Sequence, residues 1–201
     1  PARIFRPQAV LSPSGFDDLT SDIPFGLEPI SSSGTGYSRG FEIFIQKKFS
    51  SIPLYGLLSL TLSDSKFISI DGVERPGAFD TRFILNTVLG YRFGRDWEIS
   101  GKFRFATGLP TTPLLTEGVN IGVKDYSQYN EGERLPDFHS LDVRIDKMWE
   151  LGSFFLTTYL DVQNIYARRN ISGYRWDPST KSIKTIESIG ILPSIGISFE
   201  F

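Results

Sequence analysis

Long segments of this chain alternate apolar and polar residues with a period of two, and this alternation constrains the fold more than any other feature. Successive side chains of a β-strand point to opposite faces, so such a segment forms a strand with one apolar and one polar face. In the cleanest example Leu141, Val143 and Ile145 alternate with Asp142 and Arg144. Helical periodicity is nearly absent, and the sequence therefore predicts an all-β, antiparallel protein.

Several alternating runs extend over roughly nine to fifteen residues, whereas soluble strands have a mode of about five to six and tilted membrane strands need about nine to eleven. The runs lie at 39–49, 55–63, 80–93, 97–105, 140–149, 156–163 and 194–201. Their length favours a transmembrane β-barrel segment of about seven to eight strands. A soluble antiparallel sandwich, whose strands also alternate, is the competing interpretation.

The connections between these runs alternate in length. Short connections are expected at 50–53, 94–96 and 150–152, and long ones at 11–37, 64–78, 108–136 and 167–192. Short periplasmic turns on one rim and long extracellular loops on the other are typical of outer-membrane barrels. Turn-forming residues at 177–180 predict the tip of a small hairpin inside the last long loop.

The composition excludes several classes of protein. Lys and Arg number 21 against 23 acidic residues, and this balance excludes a polycation that binds nucleic acid through bulk charge. Zero cysteines exclude disulfide scaffolds, zinc-thiolate sites and thiol nucleophiles, and the single histidine, His139, has no second imidazole to bind a metal with. We therefore expect neither an enzyme nor a metal or cofactor site, and interpret His139 as a hydrogen-bonded residue at the rim.

Several residue strings resemble the C-terminal part of TonB-dependent outer-membrane receptors, in the order and spacing of that family. They are GTGYSRGFE at 34–42, FDTRFILN at 79–86, LGYRF at 89–93, TGLPTTP at 107–113, RLPDFHSLDVR at 134–144, LDVQNIY at 160–166 and ILPSIGISFEF at 191–201. The loop start at 107–113 departs from the family pattern, because Thr111 stands where tyrosine is common. Residues 2–10 fit the same scheme loosely, as the end of a preceding strand.

The resemblance implies that residues 1–201 are the C-terminal portion of an outer-membrane barrel in a Gram-negative bacterium. It implies uptake of a scarce nutrient, with outer-membrane lipid, the barrel-assembly machinery, an N-terminal plug and the energy-transducing TonB complex as partners. The plug and the earlier strands are expected to precede this segment. In such proteins the terminal strand is the assembly signal, which here places Phe199 and Phe201 in that role.

Charged residues at the polar positions are candidates for lining the lumen of the barrel. They are Glu42, Arg82, Lys102, Arg104, Asp142, Arg144, Asp146 and Asp161. They can form a substrate path or a plug-docking wall, and the alternative is a ladder of mutually neutralising pairs.

Aromatic residues are expected at both rims. Trp97, Trp149 and Phe201 lie beside the short turns, as an interfacial girdle requires. Tyr126, Tyr129, Tyr174 and Trp176 lie in the long loops and are candidates for contacting an extracellular ligand.

Two further functions stay open at this point. One is a complete eight-stranded barrel with a structural or adhesive role, and the other is a soluble lectin-like β-domain.

Overall fold

The computed structural model describes residues 34–68 and 72–200 of the chain. Strands account for 61% of it, and no α-helix occurs in these two ranges, which confirms the predicted all-β class. Within the same ranges no helix has the length and apolar character needed to cross a bilayer. The strands are β1 (Thr35–Lys47), β2 (Leu54–Ile68), β3 (Glu74–Pro76), β4 (Phe83–Phe93), β5 (Trp97–Ala106), β6 (Phe138–Leu151), β7 (Phe154–Gln163), β8 (Ile171–Asp177), β9 (Ser182–Glu187) and β10 (Leu192–Glu200).

The main sheet is antiparallel and follows the order β1-β2-β4-β5-β6-β7-β10, with β3 paired to the end of β2. Strands β8 and β9 form a separate hairpin, whose turn at 178–181 confirms the predicted tip. No pairing joins β1 to β10 among the described residues, so this sheet is open, with β1 and β10 as its edges.

The connections alternate in length as predicted. Residues 48–53, 94–96 and 152–153 join strands at one end of the sheet, which we call the short-turn rim. The connections at the opposite end, the long-loop rim, include the described residues 72–82 between β2 and β4, residues 107–137 and residues 164–191. The expected strand end at 2–10 and most of the expected long loop at 11–37 lie outside the described residues. At the end of that expected loop, β1 already begins at Thr35.

The sequence-based boundary of β2 was wrong at its outer end. A loop was expected from residue 64, but β2 continues to Ile68 and β3 lies within the expected loop. The physical reason is cross-strand ion pairing: Asp64 accepts from Arg39 of β1 at 3.1 Å, and Lys66 lies 2.9 Å from Glu74 of β3. Charged residues extend the strand here because each finds an opposite charge on a neighbouring strand.

The register places the alternating residues on two distinct faces. Directly paired residues share a face in an antiparallel sheet. Each face can therefore be traced from β1 to β10 through the successive strand pairs. One face, the apolar face, carries mostly aliphatic and aromatic side chains. Its members include Phe41, Ile43, Ile45, Leu58, Leu60, Leu62, Leu85, Leu89, Tyr91, Ile99, Phe103, Leu141, Val143, Ile145, Leu156, Leu160, Ile195, Ile197 and Phe199.

The opposite, polar face holds most of the charged strand residues. The apolar exceptions on this face are Phe44, Leu57, Phe67, Ile84, Val88, Phe138, Met148, Phe155 and Leu192. The predicted alternation is therefore confirmed, with these exceptions on the polar side.

The apolar face is exposed. Phe41 and Ile45 of β1 each expose 60% of their surface, and Ile195 of β10 exposes 83%. Phe67 is the one hydrophobic residue buried among those the structure describes. The sheet is therefore a single layer, and its hydrophobic residues do not form a conventional core.

Two tyrosines of the polar face lie over glycines of the neighbouring strand. A Cβ added to Gly90 would lie 2.1 Å from Cζ of Tyr55, and one added to Gly196 would lie 2.3 Å from Cζ of Tyr159. The missing side chains leave room for the flat rings to cover the glycine backbone, a contact that also pins strand register. Gly90 and Gly196 are therefore required by packing.

We predict that Gly90→Ala destabilises the sheet by about 1–3 kcal/mol, because the added methyl group displaces the Tyr55 ring. Gly101→Ala is the matched control, since a Cβ there meets only the Asp142 carbonyl oxygen at 3.8 Å. That control is expected to be neutral or stabilising by about 0.4–1 kcal/mol. Urea unfolding of the purified variants measures both, and equal midpoints would contradict the proposed packing role.

Candidate functional site

A cluster of charges lies on the polar face where β5 and β6 meet. The Asp142 carboxylate is buried and lies 3.2 Å from Lys102 Nζ and 3.3 Å from an Nη of Arg104. It also accepts a hydrogen bond from the backbone N–H of Asn164 at 2.9 Å. One buried carboxylate is thus held by two cations and an amide, which offsets the cost of removing it from water.

A second cluster lies nearer the short-turn rim. The Glu98 carboxylate accepts from the Tyr55 hydroxyl at 2.5 Å and from Arg92 Nε at 2.7 Å. Arg144 donates to Asp146 through two nitrogens at 2.6–3.0 Å, and its guanidinium lies 3.8 Å from the centre of the Tyr159 ring. A cleft of about 460 Å³ is lined by these groups except Tyr159.

The structure brings most of the predicted lumen residues onto one face. Glu42, Lys102, Arg104, Asp142, Arg144, Asp146 and Asp161 all lie on the polar face by register. Arg82 precedes β4 and lies 4.0 Å from Asp80 at the long-loop rim.

The predicted ladder of neutralising pairs is found in part. Lys102 and Arg104 pair across strands with Asp142, as a ladder requires. Arg144 faces Asp161 in the register, yet its ion pair is with Asp146, two residues along its own strand. Sequence reasoning did not single out Tyr55, Arg92 or Glu98, although their alternating positions were a usable signal.

At the long-loop rim a buried ion pair ties two loops together. Asp80, only 2% exposed, forms an ion pair with Arg134. Arg134 also donates to the backbone oxygens of Asp80 at 2.6 Å and Gly108 at 2.9 Å, and the Asp80 carboxylate accepts from the Ser65 N–H at 2.9 Å. Loop 72–82, loop 107–137 and strand β2 are thereby fixed to one another.

Three further contacts hold loop 107–137, two of them to loop 72–82 and one to strand β2. Arg75 Nε lies 2.8 Å from Glu131, and the Asn130 side chain donates to the Pro76 carbonyl at 2.8 Å. Phe67 packs edge-on against Tyr129, with ring centres 5.9 Å apart. The loops at this rim therefore form a folded layer above the sheet.

This layer and strand β8 border a partly open cavity of about 370 Å³, which we call the loop cavity. Tyr129 and Tyr174 line it together with Leu109, Leu135 and Lys124. A pocket of this size that combines aromatic, aliphatic and cationic groups is suited to a small organic ligand.

Two of the four predicted loop aromatics, Tyr129 and Tyr174, line this cavity, whereas Tyr126 and Trp176 do not. Tyr126 stacks on Tyr129 with ring centres 6.2 Å apart, and Trp176 lies against Gly122, where a Cβ would be 2.7 Å from that of Trp176. Tyr174 lies two residues before Trp176 on β8. Loop 107–137 and the hairpin β8–β9 thus each contribute one tyrosine to the lining of the cavity.

Asp125 holds the Tyr126–Gln128 turn that carries part of this aromatic group. Its carboxylate accepts from the Ser127 hydroxyl at 2.6 Å, from the Ser127 N–H at 3.1 Å and from the Gln128 amide at 2.8 Å. These hydrogen bonds, led by the one from the Ser127 hydroxyl, lower the pKa of Asp125. The carboxylate therefore stays ionised at neutral pH and caps the turn.

Asn170 anchors the last long loop to β6, and Asn164 joins the two ends of that loop. The Asn170 side chain accepts from the His139 N–H at 3.1 Å and donates to the His139 carbonyl at 3.0 Å, and Asn164 donates to the Gly190 carbonyl at 2.9 Å. The His139 ring bonds the Tyr166 hydroxyl at 2.8 Å. This confirms the prediction that His139 is a hydrogen-bonded residue at the rim.

At the short-turn rim a lysine lies between two tryptophans on the apolar face. Lys147 Nζ is 5.3 Å from the Trp97 ring and 5.2 Å from the Trp149 ring, and 3.0 Å from Asp96. Trp97 also stacks on Phe93 at 6.2 Å. Cationic and aromatic groups therefore end the apolar face at this rim, where both tryptophans were expected. Phe201, the third expected member, lies outside the described residues, whereas Phe199 lies on the apolar face.

Comparison with known protein families, with characterised proteins and with solved structures gives no match for this chain. Among the residues at 34–68 and 72–200, no group of three or more His, Asp or Glu side chains is arranged to hold a metal ion.

We predict that Asp80→Asn loosens the loop layer, because Arg134, whose side chain is 23% exposed, then loses its counter-charge, a change that costs about 3–5 kcal/mol when both partners are fully buried and less here. Trypsin cleavage after Lys124 is expected to accelerate. Asp64→Asn is the control, since its partner Arg39 is 74% exposed and exposed pairs contribute about 0–1 kcal/mol. Unchanged cleavage in Asp80→Asn would show that the Asp80–Arg134 ion pair does not hold the loops together.

Proposed function

We propose that this chain is a segment of the transmembrane β-barrel of a TonB-dependent receptor in the outer membrane, and that the receptor imports a scarce nutrient. The observation that carries this proposal is the uncovered apolar face, which extends over all seven strands of the main path, opposite a charged face. Lipid contact on one side and water on the other account for both faces without a second protein layer.

The strand lengths suit a bilayer. Strand β4 has 11 residues, which at about 3.3 Å per residue and a tilt of about 45° correspond to a height of about 26 Å. This agrees with the apolar band of about 25 Å found on barrels of this kind. Strands of a soluble sandwich do not need this length.

Charged groups bound the apolar face at both ends, as expected at two membrane interfaces. Lys147 lies between tryptophans at the short-turn rim, and the pairs Arg39–Asp64 and Lys66–Glu74 lie on the same face towards the long-loop rim. Aromatic and cationic residues favour the headgroup region. A soluble lectin-like domain does not require charged and aromatic residues at both ends of an apolar face.

The loop layer favours a receptor over a purely structural barrel. Two cross-loop ion pairs, each with one buried partner, lie at this rim, and Tyr129 and Tyr174 line the loop cavity. A structural or adhesive barrel does not require a pocket there. We assign the loop cavity to nutrient capture, with Tyr129 and Tyr174 as stacking surfaces for the ligand.

The polar face then lines the passage through the barrel. The charged side chains around Asp142 and Glu98 are paired with opposite charges or face water. They give the passage a hydrophilic wall against which a plug or a solute can lie. The plug, the TonB complex and the assembly machinery enter this proposal through the family resemblance. The exposed apolar residues Ile195, Ile197 and Phe199 suit recognition of the last strand by the assembly machinery.

The proposal predicts which loops are accessible on intact cells. Cysteines introduced at Thr116 or Ser179, on the long-loop rim, should react with a membrane-impermeant maleimide on whole cells. Cysteines at Arg95 or Ser153, on the short-turn rim, are the matched controls and should react only after the outer membrane is permeabilised. The chain has no native cysteine to add background. Labelling of the short-turn set alone on intact cells would overturn the orientation, and recovery of the labelled protein in the soluble fraction would overturn the membrane assignment.

A further inference from the structure

The arginines of the polar face and of the loop layer differ in how fully the fold uses their hydrogen-bond donors. Arg134 donates to two backbone carbonyls besides its ion pair, and Arg144 donates to Asp146 through two nitrogens. Arg104 makes a single hydrogen bond within the described part of the chain, from an Nη to Asp142 at 3.3 Å. A guanidinium group carries several more N–H donors. The fold therefore leaves most donors of Arg104 unused, although its side chain is 41% exposed on the polar face.

Two unpartnered polar atoms belong to residues that face each other at this point. The Nε of Arg104 and the Oγ of Ser140 are both buried and have no hydrogen-bond partner in the described structure. Ser140 is only 3% exposed and lies directly opposite Arg104 in the pairing of β5 with β6. Buried polar atoms are nearly always paired, and departures from that rule are expected at functional or strained sites. This part of the sheet is therefore not arranged for stability alone.

The charges around Arg104 do not balance. Lys102 Nζ and an Nη of Arg104 lie 3.2 and 3.3 Å from the same oxygen of Asp142, whose other oxygen accepts the N–H of Asn164. Two positive charges thus share one negative charge. The Lys102 and Arg104 side chains are 48% and 41% exposed, whereas that of Asp142 is 7% exposed. The surplus positive charge is therefore presented at the surface of the polar face.

The other clusters on the polar face are balanced one to one. Arg92 pairs with Glu98 at 2.7 Å, and Arg144 pairs with Asp146 at 2.6 Å. Such pairs fit a ladder of mutually neutralising charges. The cluster at Asp142 differs from them, because it retains a cation with unused donors.

Residues paired with Arg104 across the sheet are polar but not acidic. From β2 to β6 the row at its level consists of Ser59, Asn86, Arg104 and Ser140. Glu42 lies in the next row towards the long-loop rim, three strand spacings from β5, or about 14 Å away. An anion that reaches Arg104 therefore meets amide and hydroxyl groups on both neighbouring strands.

Resting on the function proposed above, we propose that Lys102 and Arg104 form an oxyanion subsite in the wall of the passage, and that the imported solute carries a carboxylate or phosphate group. Arg104 offers planar N–H donors to two oxygens together, and Lys102 adds a flexible point charge. Asn86 and Ser140 flank the guanidinium group on the neighbouring strands. Asp142 positions both cations. A solute without a negative group gains nothing from this arrangement, so the subsite selects anions.

Charged thiol reagents test the subsite. Asn86→Cys places one thiol beside Arg104 in a chain that has no cysteine of its own, and the protein is assayed in outer-membrane vesicles. Rates with an anionic and a cationic methanethiosulfonate are each divided by the rate with a neutral one, which corrects for access and folding. We expect the anionic reagent to react several-fold faster than the cationic one, because the surplus charge attracts it. Inorganic phosphate or acetate should slow the anionic reagent several-fold relative to chloride at equal ionic strength.

Three substitutions in this background separate a binding site from a general electrostatic field. Arg104→Gln should abolish both the charge preference and the slowing by phosphate or acetate. Arg104→Lys should keep the charge preference and lose most of the slowing, because lysine lacks the planar donors. Arg39→Gln, on the apolar face, is the matched control and should change neither quantity.

Three results would overturn the subsite. They are a cationic reagent that reacts as fast as the anionic one, slowing by phosphate and acetate no greater than that by chloride, and undiminished slowing in Arg104→Gln. Slowing by only one of the two anions would support the proposal and identify the group that binds.

The membrane assignment is tested separately in the same vesicles. Thr87→Cys lies on the apolar face of β4, next to Asn86, and in a bilayer it should react with the neutral reagent alone. Reaction of Thr87→Cys with both charged reagents would reject the membrane assignment, while slowing by phosphate or acetate at Asn86→Cys would still support the subsite.

Discussion

The structure depends on where the apolar face of the sheet is placed. Burial of apolar surface is the dominant favourable contribution to folding in water, yet this face remains exposed and Phe67 is the one buried hydrophobic residue in the described ranges. A continuous exposed apolar patch on this scale marks an interface with protein or membrane. In a bilayer, lipid covers such a face and no second protein layer is needed. The fold must instead satisfy every backbone hydrogen bond within a closed sheet, because lipid offers no partners.

The opposite face has the complementary requirement. Charged side chains at every second position need water or counter-charges, and the sheet supplies both Asp142 and Glu98 with cationic partners on adjacent strands. Glycines under Tyr55 and Tyr159 let these rings lie flat on the same wall. The loop layer is built differently, because buried hydrogen bonds and ion pairs such as Asp80–Arg134 hold it in place of a hydrophobic core.

Local pattern explains what sequence reasoning could predict. The period of two assigns residues to faces within each strand, so the faces, the short turns and the tip of hairpin β8–β9 followed from the sequence alone. The end of β2 did not, because Asp64 and Lys66 look like loop residues until Arg39 and Glu74 are placed across from them. The Asp80–Arg134 ion pair joins residues 54 positions apart in two irregular loops, where no periodic pattern in the sequence could predict it.

The central claim is that the apolar face contacts lipid while the polar face contacts water. Spin labels placed singly along β5 at Ile99, Ser100, Lys102 and Phe103, in the protein reconstituted into bilayers, measure this directly through collisions with oxygen and with a water-soluble nickel chelate. The account predicts high oxygen and low nickel accessibility at Ile99 and Phe103, and the reverse at Ser100 and Lys102. Low accessibility to both reagents at Ile99 and Phe103 would mean that protein covers the face and would contradict the claim.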